Sequence, residues 1–175
     1  WRRGSVTSWI TTVDHKRIGI LYIGTSLFFF LLGGLLSLFM RAQLATPNEH
    51  FVTRDRYNEL FTVHGTTMIF LVVVPILAGF GNYIVPLQIG ALDMAFPRVN
   101  ALSFWMLPLA GLVLYSSYLL GGPADAGWTQ YAPLSEGVGT QGNAIGIDLW
   151  IVALLLVGTA SILGAVNFIT TIFNM

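Results

Sequence analysis

Cysteine is absent from all 175 residues. That removes disulfides and thiolate metal sites, and leaves His, Met and carboxylates as possible ligands. Charge is nearly as scarce. Asp, Glu, Lys and Arg together make up 9% of the chain, against about 25% in an average soluble domain. The 8 basic residues balance the 8 acidic ones, so no basic field exists to attract nucleic acid. There is no internal repeat and no low-complexity stretch. A cleavable signal peptide does not fit the start, because polar residues follow Arg2 and Arg3 and the first apolar run is too long.

Apolar residues supply 55% of the chain. They are gathered into four runs, about 18–40, 60–85, 101–120 and 149–173. A bilayer crossing takes roughly 20 apolar residues, so each run is long enough. One such run could be a buried core helix, but four leave too little polar surface for a soluble protein. The expected fold class is all-α, a polytopic transmembrane helix bundle. Arg2, Arg3, Lys16, Arg17 and Arg98 fall on one side of the spans, against Arg41, Arg54 and Arg56 on the other. Basic residues favour the cytoplasmic side, which places the N-terminus inside. The chain stops at Asn174 and Met175 without a tail, the expected ending of a piece of a longer protein.

Within the first run, Phe28, Phe29 and Phe30 are expected to face lipid or a flat ring, and Gly33, Gly34 and Ser37 allow close helix approach. Arg41 ends the run, either as a snorkelling anchor or as the partner of a buried polar group. His64 lies in the second run, roughly 6 Å inside its start at 1.5 Å per residue. An ionisable side chain in a span is expensive and marks a functional candidate. Neutral imidazole suits an iron ligand, and His is a common haem ligand. The alternative is a histidine satisfied by a hydrogen bond across helices. Pro75, Gly79 and Gly81 loosen the lower half of this span, and Pro86 and Gly90 are expected to break its helix. Asp93 follows in the turn, as a proton-collecting acid or as a cap or partner of Arg98. Trp105 fits an interfacial belt, and Pro108 predicts a kink. The loop 121–148 lacks Lys and Arg, and its aromatics, Trp128 among them, predict a packed cover. In the fourth run, Gly158, Thr159, Ser161, Gly164 and Asn167 form a small and polar seam, with Ser161 and Asn167 on related faces. That seam reads as helix–helix glue or as a water-lined path.

Taken together these stretches resemble the N-terminal third of subunit I of the haem–copper terminal oxidases, of the aa3-type cytochrome c oxidase kind. The resemblance runs from about Val13 to Met175. It rests on the leader from Asp14 to Gly19, on His64-Gly65, on the stretch from Gly79 to Leu87, and on Asp93 to Arg98. Ser103-Phe104-Trp105, Gly127-Trp128-Thr129 and the stretch from Asn167 to Ile172 complete it.

The resemblance implies the first part of a twelve-helix fold. His64 matches one axial ligand of the low-spin haem, of A type in this kind of oxidase, and the second ligand lies beyond residue 175. Arg41 matches the arginine that bonds a peripheral group of that haem, and Trp128 a tryptophan near its propionates. Asp93 matches the acid at the mouth of a proton pathway, with the Asn82 and Asn100 pair above it and Tyr22, Ser161 and Asn167 along the route. No catalytic residue for O2 reduction is implied in this stretch, because the high-spin haem and copper belong to later helices. The implied partners are cytochrome c, O2, a copper-bearing subunit II, a subunit III and membrane lipid. The implied location is the bacterial inner membrane, with the mitochondrial one as alternative. Two positions depart from the pattern: Ala160 stands where relatives carry a serine, and Leu155 or a neighbour where many carry histidine.

A quinol-fed branch would carry polar and charged groups where Leu32 and Leu36 stand, and His and Gln at Arg56 and Glu59. That pattern is missing, which favours cytochrome c as donor. A reading from another class is a non-catalytic membrane scaffold or transporter bundle.

Overall fold

The computed structural model describes residues 5–47, 50–136 and 144–175. Arg2 and Arg3 of the leader, and part of the long loop, lie outside these residues. A short helix α1, Val6–Ile10, precedes α2, His15–Gln43. The second span is a single helical rod, Arg54–Ile89, in three parts. These are α3, Arg54–Thr66, a π-helical stretch, Thr67–Val73, and α4, Val74–Ile89. The third span is α5, Pro97–Ser116, continued by one 3-10 turn to Leu119, and the fourth is α6, Ala144–Asn174. All four rods are long and apolar enough to cross a membrane.

α2 and the second span outrun their apolar runs because polar caps carry them into polar sequence. Asp14 accepts the Arg17 N–H at 2.9 Å and Thr53 accepts that of Arg56 at 3.4 Å, the side-chain caps that favour an N-terminus. Pro97 opens α5 with its φ already helical. Gly90, in the left-handed region at φ 78°, closes α4. Pro86 does not break that helix as expected: α4 runs through it to Ile89. α5 likewise runs through Pro108. The π-helical stretch ends where Val74 N–H reaches back five residues to Ile69 O, just before Pro75, whose missing N–H could not continue a regular ladder.

The rods alternate in direction along the chain and close a ring in the order α2, second span, α6, α5, in which the second span and α6 run parallel. Gly19 meets Gly79 and Tyr83, whereas Gly33 meets Met68, so α2 and the second span are antiparallel. Ser103 bonds Ala160 and Phe96 bonds Asn167, so α5 and α6 are antiparallel too. The core where the four meet holds Tyr22, Phe29, Leu71, Leu107, Leu114 and Val157. Phe29 differs from the expectation for its triplet. It is buried, its ring lies on Gly111 and stacks near Tyr115 at 6.2 Å, while Phe28 and Phe30 stay exposed.

Candidate functional site

Polar groups inside the bundle occupy two levels. At the upper level, α2 and α3 meet at His64. Its Nδ1 lies 2.9 Å from Gly33 O. A carbonyl only accepts, so Nδ1 carries the proton and Nε2 keeps its lone pair for a metal or water. Gly33 lets the helices approach closely here, since a Cβ would lie 2.9 Å from Met68 Sδ and the Met68 side chain would have to shift. Trp128, half exposed on the loop, covers the next residue. A Cβ on Gly65 would touch the Trp128 side chain at 3.4 Å, and the indole lies 6.2 Å from the Phe70 ring. The loop is pinned by Gly127 N–H donating to Thr62 Oγ1 at 2.9 Å. Trp150 Nε1–H donates to Thr66 Oγ1 at 2.9 Å and ties α6 to the same level. Arg41 is exposed in the last turn of α2, about 12 Å further along the axis than Gly33 at 1.5 Å per residue. His64, Gly33 and Trp128 thus come together, with Arg41 beyond them at the helix end.

Among the described residues no three His, Asp or Glu side chains converge. A single imidazole with a fixed tautomer suits a group whose iron is already held by a macrocycle, and needs few protein ligands. The residues present therefore fit a haem.

The lower level begins at the other end of the rods. Asp93 is half-buried in the turn between α4 and α5, and its Oδ1 accepts Met94 N–H at 2.8 Å. Among the described residues it forms no ion pair with Arg98. Asn82 and Asn100 are each 2% exposed. Asn82 donates Nδ2–H to Ala78 O at 2.8 Å, but its Oδ1 has no partner, and neither has Asn100 Nδ2. One buried acceptor and one buried donor are what bridging water satisfies. Asn82 also lines a cavity of about 240 Å³ with Tyr22, Ser103, Ser161 and Gly164. Tyr22 is buried and its O–H donates to Ser103 Oγ at 2.8 Å, which in turn donates to Ala160 O at 2.7 Å. The Ala160 departure is therefore bridged through its backbone.

Ser161 and Asn167 do not share a face. Six positions along a helix set them about 120° apart around the axis, and Ser161 is exposed toward the cavity while Asn167 is 0% exposed. Asn167 turns to the Asp93 turn instead: its Oδ1 accepts Phe96 N–H at 2.8 Å and its Nδ2 reaches Phe96 O at 3.3 Å.

Sequence reasoning missed three residues here. Ser103 links Tyr22 to Ala160 O. Thr171 holds Ala95 N–H at 2.9 Å. His15, 1% exposed, has Nδ1 at 2.8 Å from Asn82 O. That carbonyl lies four residues before Pro86, whose missing N–H leaves it without its helical partner. His15 supplies the bond, which is why the helix survives the proline. The signal was present as the spacing from Asn82 to Pro86.

The family model described as "Cytochrome C and Quinol oxidase polypeptide I" matches residues 17–175. The chain is similar to proteins named cytochrome c oxidase subunit 1. It is 55% identical to one from a Synechocystis species over 163 residues, covering 93% of this chain and 29% of the relative. It is 56% identical to one from Thermostichus vulcanus over 164 residues, covering 93% and 29%. A third, from a Bacillus species, is 53% identical over 167 residues, covering 95% and 27%. The chain thus spans under a third of the length of these relatives.

Proposed function

The chain belongs to the cytochrome c and quinol oxidase polypeptide I family, and from that premise we propose that it forms the part of a terminal oxidase subunit that seats the low-spin haem and opens a proton pathway. The whole subunit would pass electrons from cytochrome c to a haem–copper centre that reduces O2 to water, coupled to proton pumping. The high-spin haem and the copper belong to the rest of the subunit. The oxidase would sit in the bacterial inner membrane with its copper-bearing subunit II and subunit III.

His64 Nε2 would bind the iron. The bond from Nδ1–H to Gly33 O fixes the ring and raises its basicity. Trp128 would bound the propionate side, and Arg41 would bond a peripheral group of the ring and tune its potential. When bound, the haem supplies one-electron transfer. Asp93 would collect protons at the membrane surface. Asn82 and Asn100 would order water with their unpartnered amide atoms, and Tyr22 and Ser161 would carry the line on through the cavity. Neutral amides and hydroxyls suit this task because they orient water without trapping a charge.

The pair of unpartnered buried atoms, Asn82 Oδ1 and Asn100 Nδ2, carries the proton-path reading. The test is Asp93→Asn in the full complex in sealed vesicles. Slower proton uptake at unchanged haem content is expected, and normal turnover with normal pumping would contradict the reading. Cytochrome c is favoured over quinol because Arg56 and Glu59 pair with each other at 2.7 Å and Leu32 and Leu36 offer a quinol no hydrogen bond. The scaffold alternative loses its ground with family membership.

A further inference from the structure

From the contacts between α6 and the 93–96 turn, we infer that Asn167 and Thr171 are positioning residues. They clamp the turn and thereby fix where the Asp93 carboxylate stands. The inference rests on the reading of Asp93 as the proton-collecting group and assigns Asn167 a different task from ordering water.

The turn has no helix of its own between Gly90 and Pro97, so its backbone must find partners elsewhere. Three consecutive N–H groups do so. Met94 N–H bonds the Asp93 carboxylate itself at 2.8 Å. Ala95 N–H bonds Thr171 Oγ1 at 2.9 Å, and Phe96 N–H bonds Asn167 Oδ1 at 2.8 Å. Asn167 Nδ2 returns a bond to Phe96 O at 3.3 Å, so its amide grips one residue from both sides. Thr171 O–H donates back to Asn167 O at 2.7 Å, which orients its lone pairs toward Ala95. Both side chains are 0% exposed. They stand four positions apart, hence on one face of α6. Pro97 begins α5 directly after the clamped pair. Asp93 is thus held between its own bond to Met94 and a turn fastened to the far helix. An amide already bonded to Phe96 on both its oxygen and its nitrogen is better placed to hold backbone than to relay protons.

The test compares Thr171→Val, which keeps the shape and loses the acceptor, with Thr171→Ser, which keeps the hydroxyl. Both are made in the full subunit within its assembled complex, with Asp93→Asn alongside. Proton uptake in Thr171→Val is expected about tenfold slower, within the roughly hundredfold that a 1 Å misplacement of a reacting group can cost, with haem content and reduced spectrum unchanged. Thr171→Ser is expected to restore the rate. A wild-type rate in Thr171→Val with a slow Asp93→Asn overturns the clamp alone. Wild-type rates in both overturn the pathway reading and the clamp with it. If Thr171→Val does not assemble, hydrogen exchange in the wild-type complex decides. The Ala95 and Phe96 amides are expected to be protected relative to Leu92, and equal exchange would overturn the inference.

Discussion

At His64 one hydrogen bond settles which ring nitrogen is left for chemistry. The Gly33 carbonyl accepts a hydrogen bond from Nδ1–H, so Nε2 is the nitrogen left free for a ligand. His64→Ala in the full complex is expected to abolish the low-spin haem band, whereas an unchanged reduced spectrum would remove the assignment. Asp125 gives a second residue-scale expectation, in the loop that carries Trp128. Its Oδ1 is buried without a partner. Burial pushes this carboxyl above the ordinary carboxylate range, Asp55 adds to the rise, and a bond from its own backbone opposes it. The folded loop therefore holds this proton more tightly than the unfolded chain does. Its stabilising effect is complete below the ordinary carboxyl pKa of about 3.9 and is lost as pH rises through the raised value. Exchange of the Gly127 amide, corrected for intrinsic rate, should then quicken over that window, and Asp125→Asn should remove the change. A pH-independent opening in the parent would contradict this. His64 was legible in the sequence because an imidazole in an apolar run is rare. Ser103 and Thr171 were not, because hydroxyls on helices commonly bond their own backbone. Tertiary packing gives them further partners, Tyr22 of α2 and Ala160 of α6 for Ser103, and Ala95 of the turn before α5 for Thr171.

Between elements, α2 and α4 approach closely at a pair of glycines. A Cβ on Gly79 would lie 2.9 Å from Tyr22 Cβ and 3.0 Å from Gly19 O. Gly79→Val should therefore force the rods apart and cost about 1–3 kcal/mol, the usual range for overpacking. It should also shift Tyr22 and so slow proton uptake. Unchanged thermal stability of the complex in detergent would argue against this packing. His15 serves the same pair of helices by a different means. His15→Ala leaves the Asn82 carbonyl buried and unpaired, at a cost of about 1–3 kcal/mol. A midpoint of thermal unfolding equal to the parent's would show that water replaces the imidazole. The four spans were legible from hydropathy alone. Their ends were not, because caps such as Asp14 and Thr53 extend helices into polar sequence that a hydropathy reading discards. The π-helical stretch before Pro75 was also hidden, since a proline announces a disturbed ladder but not how the backbone absorbs it.

For the molecule as a whole, the ring of four rods separates two polar levels. The level of His64, Gly33, Thr62, Thr66 and Trp150 lies toward one end. The level of His15, Asn82, Asn100, Asn167 and Thr171 lies toward the other. Antiparallel pairing produces this separation, because it stacks residues from the start of α2 on the end of α4, and those from the start of α5 on the end of α6. The sequence showed each polar residue but not the levels, which depend on which rods are neighbours. On the proposed function, the upper level seats a haem that only transfers electrons while the rest of the subunit binds O2. The most direct measurement is a pair of spectra, reduced-minus-oxidised and CO-difference, on the intact purified complex. A low-spin haem band that CO leaves unchanged, beside a separate CO-reactive haem, is the expected result. A spectrum with no haem would contradict the assignment of His64 and the function built on it.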